Sequence, residues 1–262
     1  MNAHHPTAAS SGELTSIEKA LVVMEAFDSG TPSLSIEQLC ALVGLTRPTV
    51  HRILKQLEAK GFVRQLPSRR YQLGLRLFEL GSLVSDLVML RIPAIPHLHA
   101  LYEHTDGAVY LSVWDHDEVL HLDCLPSRSE PPLPARAGGR WTAHCSSVGK
   151  VLLAHARPEV LEHYLQEPLR VVTRHTITDR ADFLRHLEQV RGQGHATSVE
   201  ESLLGIYGLA APIHDRGCKV VAAVCVAGRN PAFLGLHREV MSTAEAISRA
   251  IQLAAPSWLR PA

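Results

Sequence analysis

The chain has 262 residues, 46% hydrophobic and 20% charged, an ordinary globular composition that excludes disordered, collagen-like and membrane-embedded classes. Its length suggests two domains rather than one. The net charge is zero, yet residues 46–76 hold eight basic side chains (Arg47, Arg52, Lys55, Lys60, Arg64, Arg69, Arg70 and Arg76) against Glu58 alone, which points to one confined polyanion site. Five cysteines (Cys40, Cys124, Cys145, Cys218 and Cys225), odd in number and without a CxxC pair, read as reduced thiols of a cytoplasmic protein. No apolar run reaches the length of a membrane span, and the first fifteen residues lack the basic start and apolar stretch of a signal peptide, so no membrane partner is expected.

Residues 1–14 read as a disordered tail. Ser16 is a candidate N-cap for a helix carrying Ile17, Ala20, Leu21, Val23, Met24 and Phe27 at helical spacing, stopped near Ser29-Gly30-Thr31-Pro32. Ser35 starts a second helix that ends at Gly44. Thr46 is the expected N-cap of a third, with Pro48 in its first turn, running to about Lys60. Two helices joined by a tight turn at Gly44 form a helix-turn-helix pattern. At about 100° per residue, Val50, Ile53, Leu54 and Leu57 of the third helix share one stripe. Pro48, Arg52, Lys55 and Gln56 fall opposite it, with Thr49 and His51 on the flanks. Such a face suits a major groove, although charges alone would equally describe a solvated helix face.

The next segment favours the groove. Residues 62–66 alternate like a strand, Pro67-Ser68 turns, and residues 69–73 return toward Gly74, giving a hairpin with Arg69 and Arg70 at its tip. A helix-turn-helix followed by a basic hairpin is a winged helix over residues 15–74, for which double-stranded DNA is the expected partner. The candidate DNA-contacting set is Ser35, Arg47, Pro48, Thr49, His51, Arg52, Lys55, Gln56, Arg69 and Arg70. A linker helix is expected over 75–91, with Leu77, Leu80, Leu83 or Val84, Leu87 and Leu90 at three- and four-residue steps, ended by Arg91-Ile92-Pro93. That stripe needs a partner, either its own second domain or the same helix of another subunit, and a pseudo-palindromic operator implies at least a homodimer.

Residues 92–262 read as a mixed helix and strand domain. A helix is expected at 97–104, a hairpin at 108–114 and 118–123, a loop at 126–140, a short strand at 141–144 and a helix at 147–156. Further helices are expected near 158–166 and 179–191, strands near 195–199, 208–214 and 219–227, and a closing helix at 237–254. Strands joined by tight turns imply an antiparallel sheet with segregated helices, an α+β domain. His144 beside Cys145 invites a nucleophile reading, but neighbours on a strand point to opposite faces. His121, Asp123 and Cys124 could supply metal ligands, yet no paired ligand spacing supports it. No P-loop or GxGxxG is present, and no cofactor, catalytic residue or metal ligand is implied.

SIEKAL at 16–21, GLTRPTVHRIL at 44–54 and YQLG at 71–74 resemble the IclR family of bacterial transcriptional regulators. The likeness continues through GRWTAHCSSVGK at 139–150, TITD at 176–179, GQGHA at 192–196, Glu200-Glu201, LAAPI at 209–213 and VAAVCVAG at 221–228, covering about residues 14 to 255. The resemblance implies a GAF-like effector-binding domain whose pocket falls on Ser147, Val148, Ser198, Gly208, Cys225 and Ala227. Where the family often has an acid at position 198 and serines at 225 and 227, this chain has Ser, Cys and Ala, implying a less charged pocket suited to an aromatic or amphipathic ligand. The expected function is a ligand-responsive regulator, a repressor of a nearby catabolic operon, taking a small organic or aromatic acid and assembling as a homodimer or homotetramer. The alternatives are an activator of the same architecture and a small-molecule enzyme with an appended basic domain, which would need a catalytic constellation the residues do not offer.

Overall fold

The computed structural model describes residues 14–27 and 31–254. The tail expected over 1–14 therefore lies outside the described residues apart from Leu14, as do Ser29 and Gly30 of the first stop signal. The chain divides into two compact units between Ser85 and Asp86.

In the first unit, α1 (Ser16–Glu25) is capped by Thr15 rather than by Ser16. A capping box needs an acid or amide three residues after the cap, and Thr15 finds it in Glu18, whereas Ser16 would find Lys19. Helix α2 (Ile36–Val43) is closed into a second box by Ser35 and Gln38 and ends at Gly44 in the left-handed conformation. Helix α3 (Arg47–Ala59) follows Thr46, whose hydroxyl bonds Thr49 Oγ1 at 2.9 Å instead of capping a backbone N–H. Strands β1 (Val63–Gln65) and β2 (Tyr71–Leu73) pair antiparallel, and Leu34 bridges to Tyr71. Val23, Leu39, Val50, Leu54, Val63 and Tyr71 bury one apolar core from all of these elements. Gly74 closes the wing against the end of α3: a Cβ there would fall 2.0 Å from the Gly61 carbonyl oxygen, so no other residue fits. This is the expected winged helix.

The expected single linker helix is two. Helix α4 (Arg76–Gly81) stops at Gly81-Ser82, and α5 starts at Ser85. Gly is a weak helix former, and the Ser82 hydroxyl donates to the Glu79 carbonyl at 2.7 Å, the kind of local bond that competes with helix continuation. Nor does a helix end at Arg91-Ile92-Pro93, for α5 (Ser85–His104) runs through both Pro93 and Pro96. Burial outweighs the missing backbone bonds here: Leu90, Ala94, Leu98 and Leu101 form one stripe that packs into the core of the second unit.

That unit is built on a six-stranded antiparallel sheet. Its strands are β3 (Ala108–Asp115), β4 (Glu118–Leu125), β5 (Arg140–Trp141), β6 (Ala196–Val199), β7 (Tyr207–His214) and β8 (Val220–Gly228), in the spatial order β5-β4-β3-β8-β7-β6. One face, through Val109, Leu111, Leu209, Val224 and Val226, packs on α5 and on α9 (His237–Ala254). The other, through Ala108, Tyr110, Ala210 and Cys225, packs under α6 (Ser147–Ala154) and α8 (Arg180–Gln193); Leu161 of α7 (Pro158–Tyr164) joins that core. A 3₁₀ turn at Pro231–Gly235, not anticipated from the sequence, precedes α9.

Two local features depart from the expected pattern. The strand anticipated over 141–144 is only β5, because residues 143–146 turn to cap α6: Ser146 N–H donates to the Ala143 carbonyl and Ser146 Oγ accepts from Gly149 N–H. In β4, the register against β3 skips from Asp123 opposite Leu111 to His121 opposite Ser112. This bulge turns Asp123 away to pair with Arg91 of α5, Oδ2 to Nε at 2.9 Å, while His121 and Cys124 keep to the α6 face.

Candidate nucleic-acid interface and ligand cavity

The apolar stripe of α3 is buried through Val50, Ile53 and Leu54, which leaves Arg47, Pro48, His51, Arg52, Lys55 and Gln56 exposed and Thr49 at the margin. Two cations of this face have acidic neighbours. Arg47 pairs with Glu37 of α2, and Lys55 Nζ donates to Glu58 Oε2 at 3.1 Å. Hydrogen bonds from its own backbone N–H and from Ser35, with the Arg47 charge beside it, hold the Glu37 carboxyl below the usual carboxylate range. Ser35 itself serves as the α2 cap.

The wing separates its two arginines. Arg69 sits exposed at the tip with a positive φ of 58°, so its side chain projects from a tight turn. Arg70 folds back instead: Nε donates to Ser33 Oγ at 3.0 Å and Nη2 to the Ser33 carbonyl. The sequence offered no sign of this tether, since Ser33 lies 37 positions away.

In the second unit, Ser147, Val148, Ser198, Gly208, Cys225 and Ala227 all line one cavity of about 520 Å³, part of it open to solvent. Its floor crosses the sheet from Trp141 on β5 through His121, Tyr110, Cys225 and Gly208 to Ser198 on β6, and the start of α6 forms its roof. Gly208 lets that roof sit close, because a Cβ would lie 2.9 Å from Ser147 Oγ and displace that hydroxyl. Ser198 Oγ donates to the Cys145 carbonyl at 2.8 Å and so ties β6 to the turn before α6. The N–H groups of Ser147 and Val148 open the helix without an intrahelical acceptor, a setting that favours an anion. Among the described residues no Lys, Arg, Asp or Glu lines the cavity; Leu133, Ala135, Leu203 and Ile206 complete an apolar wall.

Sequence reasoning missed the aromatic floor. Tyr110 and His121 lie with ring centroids 4.9 Å apart and His121 and Trp141 at 6.4 Å. His121 Nδ1 and Ser112 Oγ share a 2.8 Å hydrogen bond, and burial lowers the His121 pKa to about 4, so the ring is neutral at pH 7. Two-residue alternation from Val119 already puts His121 on this face, and the bulge comes only after it, between His121 and Asp123. The same bulge removes Asp123 from any ligand set with His121. Among the described residues no group of three or more His, Cys, Asp or Glu side chains is arranged to hold a metal ion.

His144 and Cys145 lie on a turn rather than a strand, yet they form no nucleophile and base. His144 Nδ1 bonds Tyr164 Oη at 2.9 Å and Nε2 the Arg170 carbonyl at 2.9 Å. Cys145 Sγ donates to the Thr142 carbonyl, and burial pushes its pKa up to about 12, so it stays a thiol.

A winged helix with an exposed basic recognition face, followed by an antiparallel-sheet domain with a partly open, largely apolar cavity, defines a DNA-binding regulator of transcription. Family models match both units: the IclR helix-turn-helix domain over residues 16–67 and the bacterial transcriptional regulator IclR C-terminal domain over residues 84–253. The chain belongs to the IclR family of bacterial transcriptional regulators. It is 34% identical over 218 residues to the glycerol operon regulatory protein of Streptomyces griseus, covering 82% of this chain and 85% of that one. An IclR homologue of Microbacterium hydrocarbonoxydans, solved in complex with 4-hydroxybenzoate, superposes with a TM-score of 0.84 at 28% identity, over 91% of this chain and 100% of that one. The IclR protein of Thermotoga maritima superposes with a TM-score of 0.75 at 27% identity, over 90% and 98%. No helix among the described residues is long and apolar enough to cross a membrane.

Proposed function

We propose that this regulator is a cytoplasmic repressor of a neighbouring catabolic operon, released by a small organic or aromatic acid, and that it has no enzymatic activity. The observation that carries the reading is the cavity, in which two helix N–H groups without an intrahelical acceptor face an otherwise uncharged, largely apolar and aromatic chamber. A carboxylate would sit over the α6 N-terminus, with its hydrocarbon body against the sheet. The operon regulator and the 4-hydroxybenzoate complex among its relatives support the same direction.

DNA is read by α3 through Arg47, Pro48, Thr49, His51, Arg52, Lys55 and Gln56, with Ser35, Arg69 and Arg70 at flanking phosphates. Leu75, Phe78, Leu80 and Val84, apolar and exposed around α4, form the seam of a homodimer, and sensor domains pair further into a homotetramer. An effector acts only by binding one arrangement of that assembly better than another, and a coupling of about 1–3 kcal/mol changes operator affinity roughly 5- to 150-fold.

The test is in vitro transcription from the promoter adjacent to the gene, with full-length protein and a panel of organic and aromatic acids. Repression relieved by at least one acid is the expected result. Protein-dependent stimulation would replace repressor by activator, and no effect of any acid would remove the inducer reading.

A further inference from the structure

The cavity has hydrogen-bonding groups at two separated places. Ser146, Ser147, Ser198 and Ser202 cluster with the α6 N-terminus over β6 and β7, and His121 stands on β4. From β4 to β7 is three strand spacings, about 14 Å at the backbone. After the reach of the imidazole and two hydrogen bonds are subtracted, that span leaves room for a ring between the two polar ends. The lining between them is Tyr110, whose hydroxyl is engaged with the Cys124 thiol, with Cys225, Ala227, Val148 and Leu133, and none of these carries a charge.

His121 is built to serve one orientation. Ser112, fully buried on β3, holds Nδ1, and the Tyr110 and Trp141 rings flank the imidazole. Nε2 makes no protein hydrogen bond among the described residues. The residue is only 5% exposed, yet Nε2 is not among the buried polar atoms left without a partner, so what accessibility the ring keeps lies at this nitrogen, on the cavity side. A neutral imidazole whose Nδ1 partner is a hydroxyl adapts easily, because Ser Oγ can donate or accept, so Nε2 can meet an acceptor or a donor.

We propose that His121 is the specificity-determining residue of the cavity, its Nε2 hydrogen-bonding a hydroxyl or carbonyl carried by the effector at the end opposite the carboxylate. The effector class is thus a ring-sized acid with a remote polar group, not a simple hydrocarbon acid. This rests on the acid-binding reading of the same cavity.

Calorimetric titration of the full-length protein with two pairs of probes, benzoate against 4-hydroxybenzoate and phenylacetate against 4-hydroxyphenylacetate, tests it. In at least one pair the hydroxylated acid is expected to bind about 10-fold or more tightly, the worth of one hydrogen bond at a buried polar site. His121→Phe should erase that preference by weakening the hydroxylated acid, leaving the parent acid within about 3-fold. Ser112→Ala, which keeps the imidazole and frees its orientation, should lower the preference and carries the test should His121→Phe not fold. Parent and hydroxylated acids binding equally, or a preference surviving in the variants, would overturn the role of His121 and leave the acid reading standing. Failure of all four acids to bind would overturn both.

Discussion

Lys150 of α6 donates from Nζ to Glu201 Oε1 at 2.5 Å, and neither side chain is appreciably exposed. Lys150 also bonds the Thr197 carbonyl at 3.1 Å, so the helix that roofs the cavity is tied to β6 and to the segment that supplies Ser202 and Leu203 to its wall. Burial lowers the Lys150 pKa, opposed by the Glu201 charge. Glu201 Oε2 has no partner in the interior. Lys150→Met, which leaves a buried carboxylate uncompensated, is expected to cost about 3–5 kcal/mol in chemical denaturation. The double variant Lys150→Met/Glu201→Leu should recover most of that loss; if it is as unstable as the single variant, the pair is not the source of the cost.

The nucleic-acid face predicts a division of labour among arginines. Arg52→Ala and Arg69→Ala should each reduce the slope of log affinity against log salt by about 0.9 for every phosphate no longer neutralised, with unchanged thermal stability. Arg70→Ala should also lower stability, by about 1–2 kcal/mol, through removal of the Ser33 tether. Glu37→Gln should strengthen operator binding by freeing Arg47. Filter binding across a salt series together with thermal melts separates these effects.

Filling the cavity should uncouple sensing from DNA binding. Gly208→Phe places a ring where even a Cβ crowds Ser147 Oγ, and Ser147→Asp brings a negative charge to the anion-favouring helix start. Both variants are expected to bind operator DNA as the parent does and to lose response to any effector. An unaltered response in both would move the effector site elsewhere.

The proposed dimer seam predicts that Phe78→Asp with Leu80→Asp yields smaller species in light scattering and weak operator binding, since charges would enter an apolar interface. A parent protein that is monomeric at micromolar concentration would contradict the seam.

The His121 pKa, lowered to about 4 by burial, sets a pH dependence. In the unfolded chain this ring takes a proton near pH 6.5, but in the folded protein only near pH 4, so between these values unfolding takes up a proton. Stability is therefore fully present above about pH 6.5 and falls on acidification toward pH 4, by on the order of 3 kcal/mol from this residue. His121→Phe should flatten denaturation midpoints across that window relative to the parent.

Much of the fold was readable because local signals agreed with one another. Gly44 between two apolar-periodic helices, Pro48 in a first turn, and Pro67-Ser68 between alternating segments each dictate backbone geometry on their own. The hairpins of β3 with β4 and of β7 with β8 follow from the turn residues Asp115-His116-Asp117 and Asp215-Arg216-Gly217 between apolar runs. The sequence could not show which wing arginine is tethered, because the Arg70 bond to Ser33 spans 37 positions. The six cavity positions inferred from family likeness do line one chamber, but the aromatic floor around them was not anticipated.

Composition and periodicity alone were enough to specify two domains, a winged helix with a basic outward face and an antiparallel sheet, since each depends on interactions between residues close in the chain. Long-range packing decided the rest. It carries α5 through Pro93 and Pro96 because the stripe of Leu90, Ala94, Leu98 and Leu101 gains more by burial than the two missing N–H bonds cost. It also sets the bulge in β4, where Asp123 leaves its expected face to meet Arg91 and His121 is left facing the cavity. Periodicity describes a regular strand, and the bulge that turns Asp123 away depends on a partner strand and on a helix distant in sequence.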